Sequence, residues 1–114
     1  MTAPGALARK VTGLVSGLGL TQEEIGQIVD ASARSVARWS SGDVVPQRLN
    51  KQRLVELAYV ADAVSTILPR EEANLWIFTP NRLLGHDTPA QRIHDGGYRD
   101  VLDVIEAIAS GVVV

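Results

Sequence analysis

Arg34 and Arg38 stand four residues apart in the stretch ASARSVARWSSG (31–42). On a helix, residues four apart project from one face. A guanidinium pairs with guanine or phosphate through two parallel donors, and a serine hydroxyl can serve either target. With Val36 and Trp39 turned inward at i and i+3, Ser32, Arg34, Ser35, Arg38 and Ser41 are left facing outward. No carboxylate lies between Ala31 and Gly42 to repel a phosphate. The chemistry offered is DNA contact through Ser32, Arg34, Ser35 and Arg38. The plain alternative is a small helical hairpin whose arginines are only solvated.

Other chemistry is scarce. The two histidines sit in twin dipeptides, His86-Asp87 and His94-Asp95. A histidine beside a carboxylate suits metal binding or proton transfer, but the eight-residue spacing crosses a helix start and no third ligand type gathers nearby. Exposed His-Asp pairs near helix ends are the simpler reading. There is no Gly-rich phosphate loop and no Ser-His-Asp arrangement. Cysteine is absent, which removes disulfides and thiolate metal sites and fits a reducing cytoplasm. The expectation is a protein that is not an enzyme, with no cofactor and no metal.

The elements that must position the arginines are helical. Thr21 and Glu24 have the spacing of a capping box, Ile25 and Val29 share a face, and Gly26 is small where a second helix could cross. Asp30-Ala31 interrupts the pattern, with Asp30 where such turns usually carry glycine. Ser32 can cap a second helix that Gly42 ends. Two short helices joined by a tight turn match the unit that lays its second helix in the major groove.

Around this unit the pattern stays helical. Ala6 to Leu18 reads as a first helix stopped by Gly19. Pro46 to Leu68 is the longest, with an apolar arc so wide that it must pack on two sides, either in a core or at a subunit interface. A homodimer contact through Leu54, Leu57, Val60, Ala61 and Val64 is therefore expected. Shorter elements follow at Arg70 to Phe78, Thr79-Pro80 to Leu84, and Thr88-Pro89 to His94. Tyr98 to Ala109 closes the series. No strand alternation is long enough to build a sheet, so the fold class is all-α.

The totals set bounds. At 114 residues with 46% hydrophobic content, the chain can pack one core, or two very small domains sharing one. Residues 1–53 carry seven Lys or Arg against four acids, whereas 54–114 carry four against nine. The front half suits a polyanion, and the back half suits a partner with a basic surface. No apolar run spans a membrane, because Asp62 breaks the longest one, and the N-terminus has no signal-peptide pattern; both favour the cytoplasm.

Two features of the back half stay open between structure and recognition. Asp100, Asp103 and Glu106 form an acidic stripe, either solvated or turned to a basic partner. The end, Gly111-Val112-Val113-Val114, continues a helix poorly. It either folds back on the chain or enters a partner's pocket with its carboxylate as anchor.

The segments PQRLNKQRLVELAYVADAV (Pro46 to Val64) and WIFTPNRLLG (Trp76 to Gly85), Pro89 at the next helix start, and the final helix with its valine end resemble the toxin-binding domain of Xre/MbcA/ParS-type antitoxins. VDASARSVARWSSG is similar to that family's helix-turn-helix. The resemblance runs from about Leu14 to Val114 and is nearest to mycobacterial members. Its most specific piece is Trp-x-x-x-Pro-Asn-x-x-Leu-Gly, Trp76 to Gly85. His86 stands where many relatives have a second glycine.

The resemblance implies an antitoxin that neutralises a RES-domain toxin, an enzyme that consumes NAD⁺, by covering its active-site cleft. It also implies repression of its own operon through the helix-turn-helix. NAD is then the partner's substrate. Residues 1–45 become the DNA-binding region and 46–114 the toxin-binding and dimerisation domain. Trp76, Asn81, Arg82 and Gly111 to Val114 become the toxin-binding candidates, and the partners become the RES toxin, operator DNA and a second copy. The alternative is a stand-alone repressor whose back half only dimerises.

Overall fold

A computed structural model describes residues 5–111. They form seven α-helices and one 3-10 turn, with no strand among them: α1 (Ala6–Leu18), α2 (Gln22–Val29), α3 (Ala33–Ser40), α4 (Arg48–Ser65), α5 (Arg70–Ile77), the 3-10 turn (Arg82–Leu84), α6 (Pro89–His94) and α7 (Tyr98–Ala109). The chain is all-α.

Local chemistry sets most boundaries. Gly19 ends α1 in the left-handed region; its N–H reaches the Val15 carbonyl, and the Leu20 N–H reaches that of Leu14. Thr21 and Glu24 close the capping box of α2 in both directions, at 2.9 and 3.0 Å. Thr88 caps α6 through the Gln91 N–H at 3.0 Å, with Pro89 in the first turn. The long helix is shorter than its apolar pattern. It starts at Arg48, because Gln47 is extended and acts as N-cap. It ends at Ser65, before Pro69 forbids a regular continuation.

Helix α4 is the axis of the molecule. It packs against α1, α2, α5, α6 and α7. A single core runs from Val11 and Leu14 of α1 through Val36 and Trp39 of α3 to Val101 and Val104 of α7, continuous across residues 45 and 46.

This placement corrects the expected dimer contact. Leu54, Leu57, Val60, Ala61 and Val64 are all buried inside the single chain. The arc is wide because helices of the same chain cover it on two sides, so Leu54, Leu57, Val60 and Val64 have no surface to offer a second copy, and Ala61 has only the 5% that borders a groove between α1 and α4. What α4 leaves outside is different: Leu49, Val55 and Tyr59.

Candidate functional site

The first candidate face is α3. Ser32 caps it, its Oγ accepting from the Ser35 N–H at 3.0 Å and donating to the Ser35 Oγ at 3.0 Å. Val36 and Trp39 are buried, which fixes the helix's rotation and turns Arg34 and Arg38 into solvent together. Ser32 is exposed beside them, and Ser35 is half-buried under the cap. Ser32, Arg34 and Ser35 therefore lie at the start of α3 and Arg38 in its last turn, with the hydroxyls committed to the helix start and the guanidinium groups open.

The turn before α3 is built from three sources. Asp30 takes φ 65°, the left-handed conformation that such a turn requires and that glycine adopts most readily. Gly26 is needed for close approach: a Cβ there would collide with the Ala31 carbonyl oxygen. Its neighbour is thus the turn itself rather than a crossing helix. From α4, Asn50 Nδ2 donates to the carbonyls of Val29 at 2.8 Å and Asp30 at 3.2 Å. These are helix-end acceptors that would otherwise have only solvent.

The second candidate face runs from α5 to α7. Trp76 is half-buried against the core, so it supports this surface more than it projects from it. Asn81 has a local task, accepting the Leu83 N–H at 2.9 Å and so capping the 3-10 turn. Arg82 is exposed. The turn is clamped from α6 by Arg92, which reaches Asp100 Oδ2 at 2.8 Å, Asp87 Oδ2 at 3.2 Å and the Leu84 carbonyl. The hydrogen bond to Asp100, followed by Asp87, raises the Arg92 pKa further and holds its charge. His86 follows Gly85 in the left-handed region with φ 71°.

Sequence reasoning did not single out the two most exposed large apolar side chains on this face. Leu75 is 69% exposed and Leu83 is 54% exposed. Leu83 borders a hollow of about 380 Å³ shared with Asp100 and Asp103. The available signal was position: each leucine lies beside the buried residue of its turn rather than in line with it. Of the C-terminal candidates, Gly111 is exposed with φ 86°. Val112, Val113 and Val114 lie outside the described residues.

Neither histidine gathers a metal set; no group of three or more His, Cys, Asp or Glu among the described residues is placed to hold an ion. His94 instead lies between Asp95, 2.9 Å from its Nδ1, and Asp30, 3.9 Å from its Nε2. None of the described helices is long and apolar enough to cross a membrane.

Known proteins are similar along nearly the whole chain. The chain is 63% identical over 108 residues to the mycobacterial cidal antitoxin MbcA of Mycobacterium tuberculosis, covering 95% of this chain and 96% of that protein. The MbcA of Mycobacterium bovis matches to the same extent. The chain belongs to the Xre/MbcA/ParS antitoxin family. Residues 60–111 match that family's C-terminal toxin-binding domain. A chain in the crystal structure of the M. tuberculosis MbcT–MbcA toxin–antitoxin complex superposes with a TM-score of 0.88 at 62% identity, covering 96% of this chain and 99% of that one. An Xre/MbcA/ParS antitoxin works by binding a toxin, so this chain is a binding protein and not an enzyme. Within the family's toxin-binding region lie Leu75, Leu83, the Arg92 clamp and the acidic side of α7.

Proposed function

We propose that this protein neutralises a RES-type, NAD-degrading toxin by covering its active-site cleft, and that as a homodimer it represses its own operon through α3. The observation that carries the first part is the likeness, along nearly the whole chain, to an antitoxin solved with its toxin. The exposed Leu75, and the exposed Leu83 in a hollow shared with Asp100 and Asp103, support it. A cleft that holds a dinucleotide pyrophosphate has to be electropositive, and an acidic, partly apolar surface complements it. Gly111 to Val114 are proposed to add contacts at that cleft.

The DNA part rests on Arg34 and Arg38 standing outward on a helix whose inner side is locked by Val36 and Trp39. One such helix makes few phosphate contacts, so useful affinity needs a pair of them on a repeated site.

Co-expression with the neighbouring toxin gene tests the reading. Growth should be restored and cellular NAD⁺ retained. If cells still die while the protein binds its own promoter, the stand-alone repressor is the correct description.

A further inference from the structure

Leu83 is exposed on a stretch with little regular structure. Between α5 and α6 only Arg82–Leu84 form an element, the single 3-10 turn. Residues 81–87 are otherwise held together locally. Asn81 accepts the N–H groups of Leu83, Leu84 and His86, and its own N–H donates to the Asp87 carbonyl at 3.0 Å. The Asp87 N–H returns to the Leu84 carbonyl at 3.1 Å. Among the described residues, the hydrogen bonds that tie this stretch to the rest of the fold come from one side chain, Arg92 of α6.

Arg92 holds two elements at once. Its Nε and Nη2 both donate to Asp87 Oδ2, at 3.3 and 3.2 Å, and Nη2 also reaches the Leu84 carbonyl. Its Nη1 donates to Asp100 Oδ2, in the first turn of α7, at 2.8 Å. The guanidinium thus joins the turn that carries Leu83 to the helix that carries Asp100 and Asp103. A lysine offers one compact head in place of a planar fork, so it cannot span these acceptors in the same way. The fold also keeps room for the arginine's stem: a Cβ on Gly97 would stand 2.7 Å from Arg92 Cδ and 3.1 Å from its Cγ. Leu83, Arg92, Asp100 and Asp103 border one hollow, and all lie in the part matched by the toxin-binding domain.

We infer, building on the toxin-neutralising reading above, that Arg92 is a positioning residue for toxin binding: it fixes the 3-10 turn against α7, and its effect on the toxin passes through Leu83. A side chain presented in its bound place loses less freedom on association, which is what such a clamp contributes.

The test is the affinity of the full chain for purified toxin, by surface plasmon resonance, with Arg92→Gln and Leu83→Ser alone and combined. Each single change should weaken binding about tenfold. On top of Leu83→Ser, Arg92→Gln should cost only about twofold more, because the side chain it positions is gone. Hydrogen exchange should quicken at Leu83 to Asp87 in Arg92→Gln and stay unchanged in α2 and α3, which a general loss of folding would not do. Gly97→Ala pushes the stem aside with every charge kept, and it should repeat both the loss and the coupling. Arg92→Lys should fall between wild type and Arg92→Gln. Full losses that multiply in the double variant would mean that Arg92 meets the toxin directly, and would overturn the positioning role. So would wild-type affinity in Arg92→Gln beside a weakened Leu83→Ser. Wild-type affinity in Leu83→Ser would instead remove the 3-10 turn from the toxin interface, and a wild type that does not bind the toxin at all would sink the neutralising reading itself.

Discussion

The side-chain amide of Asn50 donates to the Val29 carbonyl at 2.8 Å, across 21 residues of sequence, and ties the long helix to the turn that aims α3. The same amide reaches the Asp30 carbonyl. Two acceptors at the end of α2 thus depend on one partly buried donor. Asn50→Ala should cost about 1–3 kcal/mol of folding stability, since it strands the Val29 acceptor in a half-buried place. Asn50→Asp should cost at least as much, because a carboxylate would face two carbonyl oxygens. Urea titration gives the stability. Hydrogen exchange at Ala31 to Ser35 should quicken more than in α7, and uniform quickening would argue against a local role for Asn50.

Arg34 and Arg38 should carry the operator contact. Arg38→Ala should weaken specific binding by about 1–3 kcal/mol if it reads a base edge, and by less if it touches only phosphate. Fluorescence anisotropy over a range of salt distinguishes the two, since a lost phosphate contact flattens the salt slope by about one. If an Arg34→Ala/Arg38→Ala double variant keeps both affinity and slope, α3 is not the recognition helix.

His86 holds φ 71° with a β-carbon, next to Gly85 at φ 64°. The left-handed conformation costs a non-glycine residue about 1–2 kcal/mol, and part of this is offset because glycine makes the unfolded chain more flexible. His86→Gly should therefore raise stability by about 0.5–1 kcal/mol without moving the turn. A lowered thermal transition would mean that the imidazole makes a contact that outweighs its backbone strain.

Asp95 gives a pH signature. Its hydrogen bond to His94 first, and those from Gln91 next, hold its pKa below the usual carboxylate value. A carboxyl with a depressed folded pKa stabilises the fold above its unfolded pKa and loses that contribution as pH falls through the folded one. Stability should thus decline as pH drops below about 4, and Asp95→Asn should flatten part of that decline. A parallel decline in the variant would place the acid sensitivity in other carboxylates.

Much of this architecture was legible in the sequence because its signals are local. Gly19 and the 3.6-residue pattern bound α1, and Thr88-Pro89 opens α6 as its residues suggest. The outward pair Arg34 and Arg38 followed from Val36 and Trp39 alone. Long-range facts were not legible. The arc from Leu54 to Val64 announces that two sides are covered, but periodicity does not say by what, and the cover is this chain's own α1, α2 and α7. Asn50 and Arg92 look like ordinary polar surface residues until the fold brings Val29 and Leu84 to them. Leu75 and Leu83 gave a hydropathy signal that suits burial, and only the structure leaves them outside.

Those two leucines give the sharpest test of how the toxin is held. Each is more than half exposed, so replacing it removes little intramolecular contact: Leu75→Ser and Leu83→Ser should each change folding stability by under about 0.5 kcal/mol. If the α5-to-α7 face covers the cleft, either change should weaken toxin binding by about 1–3 kcal/mol, the loss for a leucine buried at an interface. Operator affinity should not move, since α3 lies on another face. Deleting residues 111–114 asks the same question of the chain's end. Binding by calorimetry and NAD⁺ retention in co-expressing cells read both. Loss with the leucine variants alone assigns the cleft to the helices, and loss with the deletion alone assigns it to Gly111 to Val114. Loss with both means that the two act as one surface, in which case combining them should cost less than the separate effects added together. Full protection by all three variants would remove this half of the chain from the toxin interface.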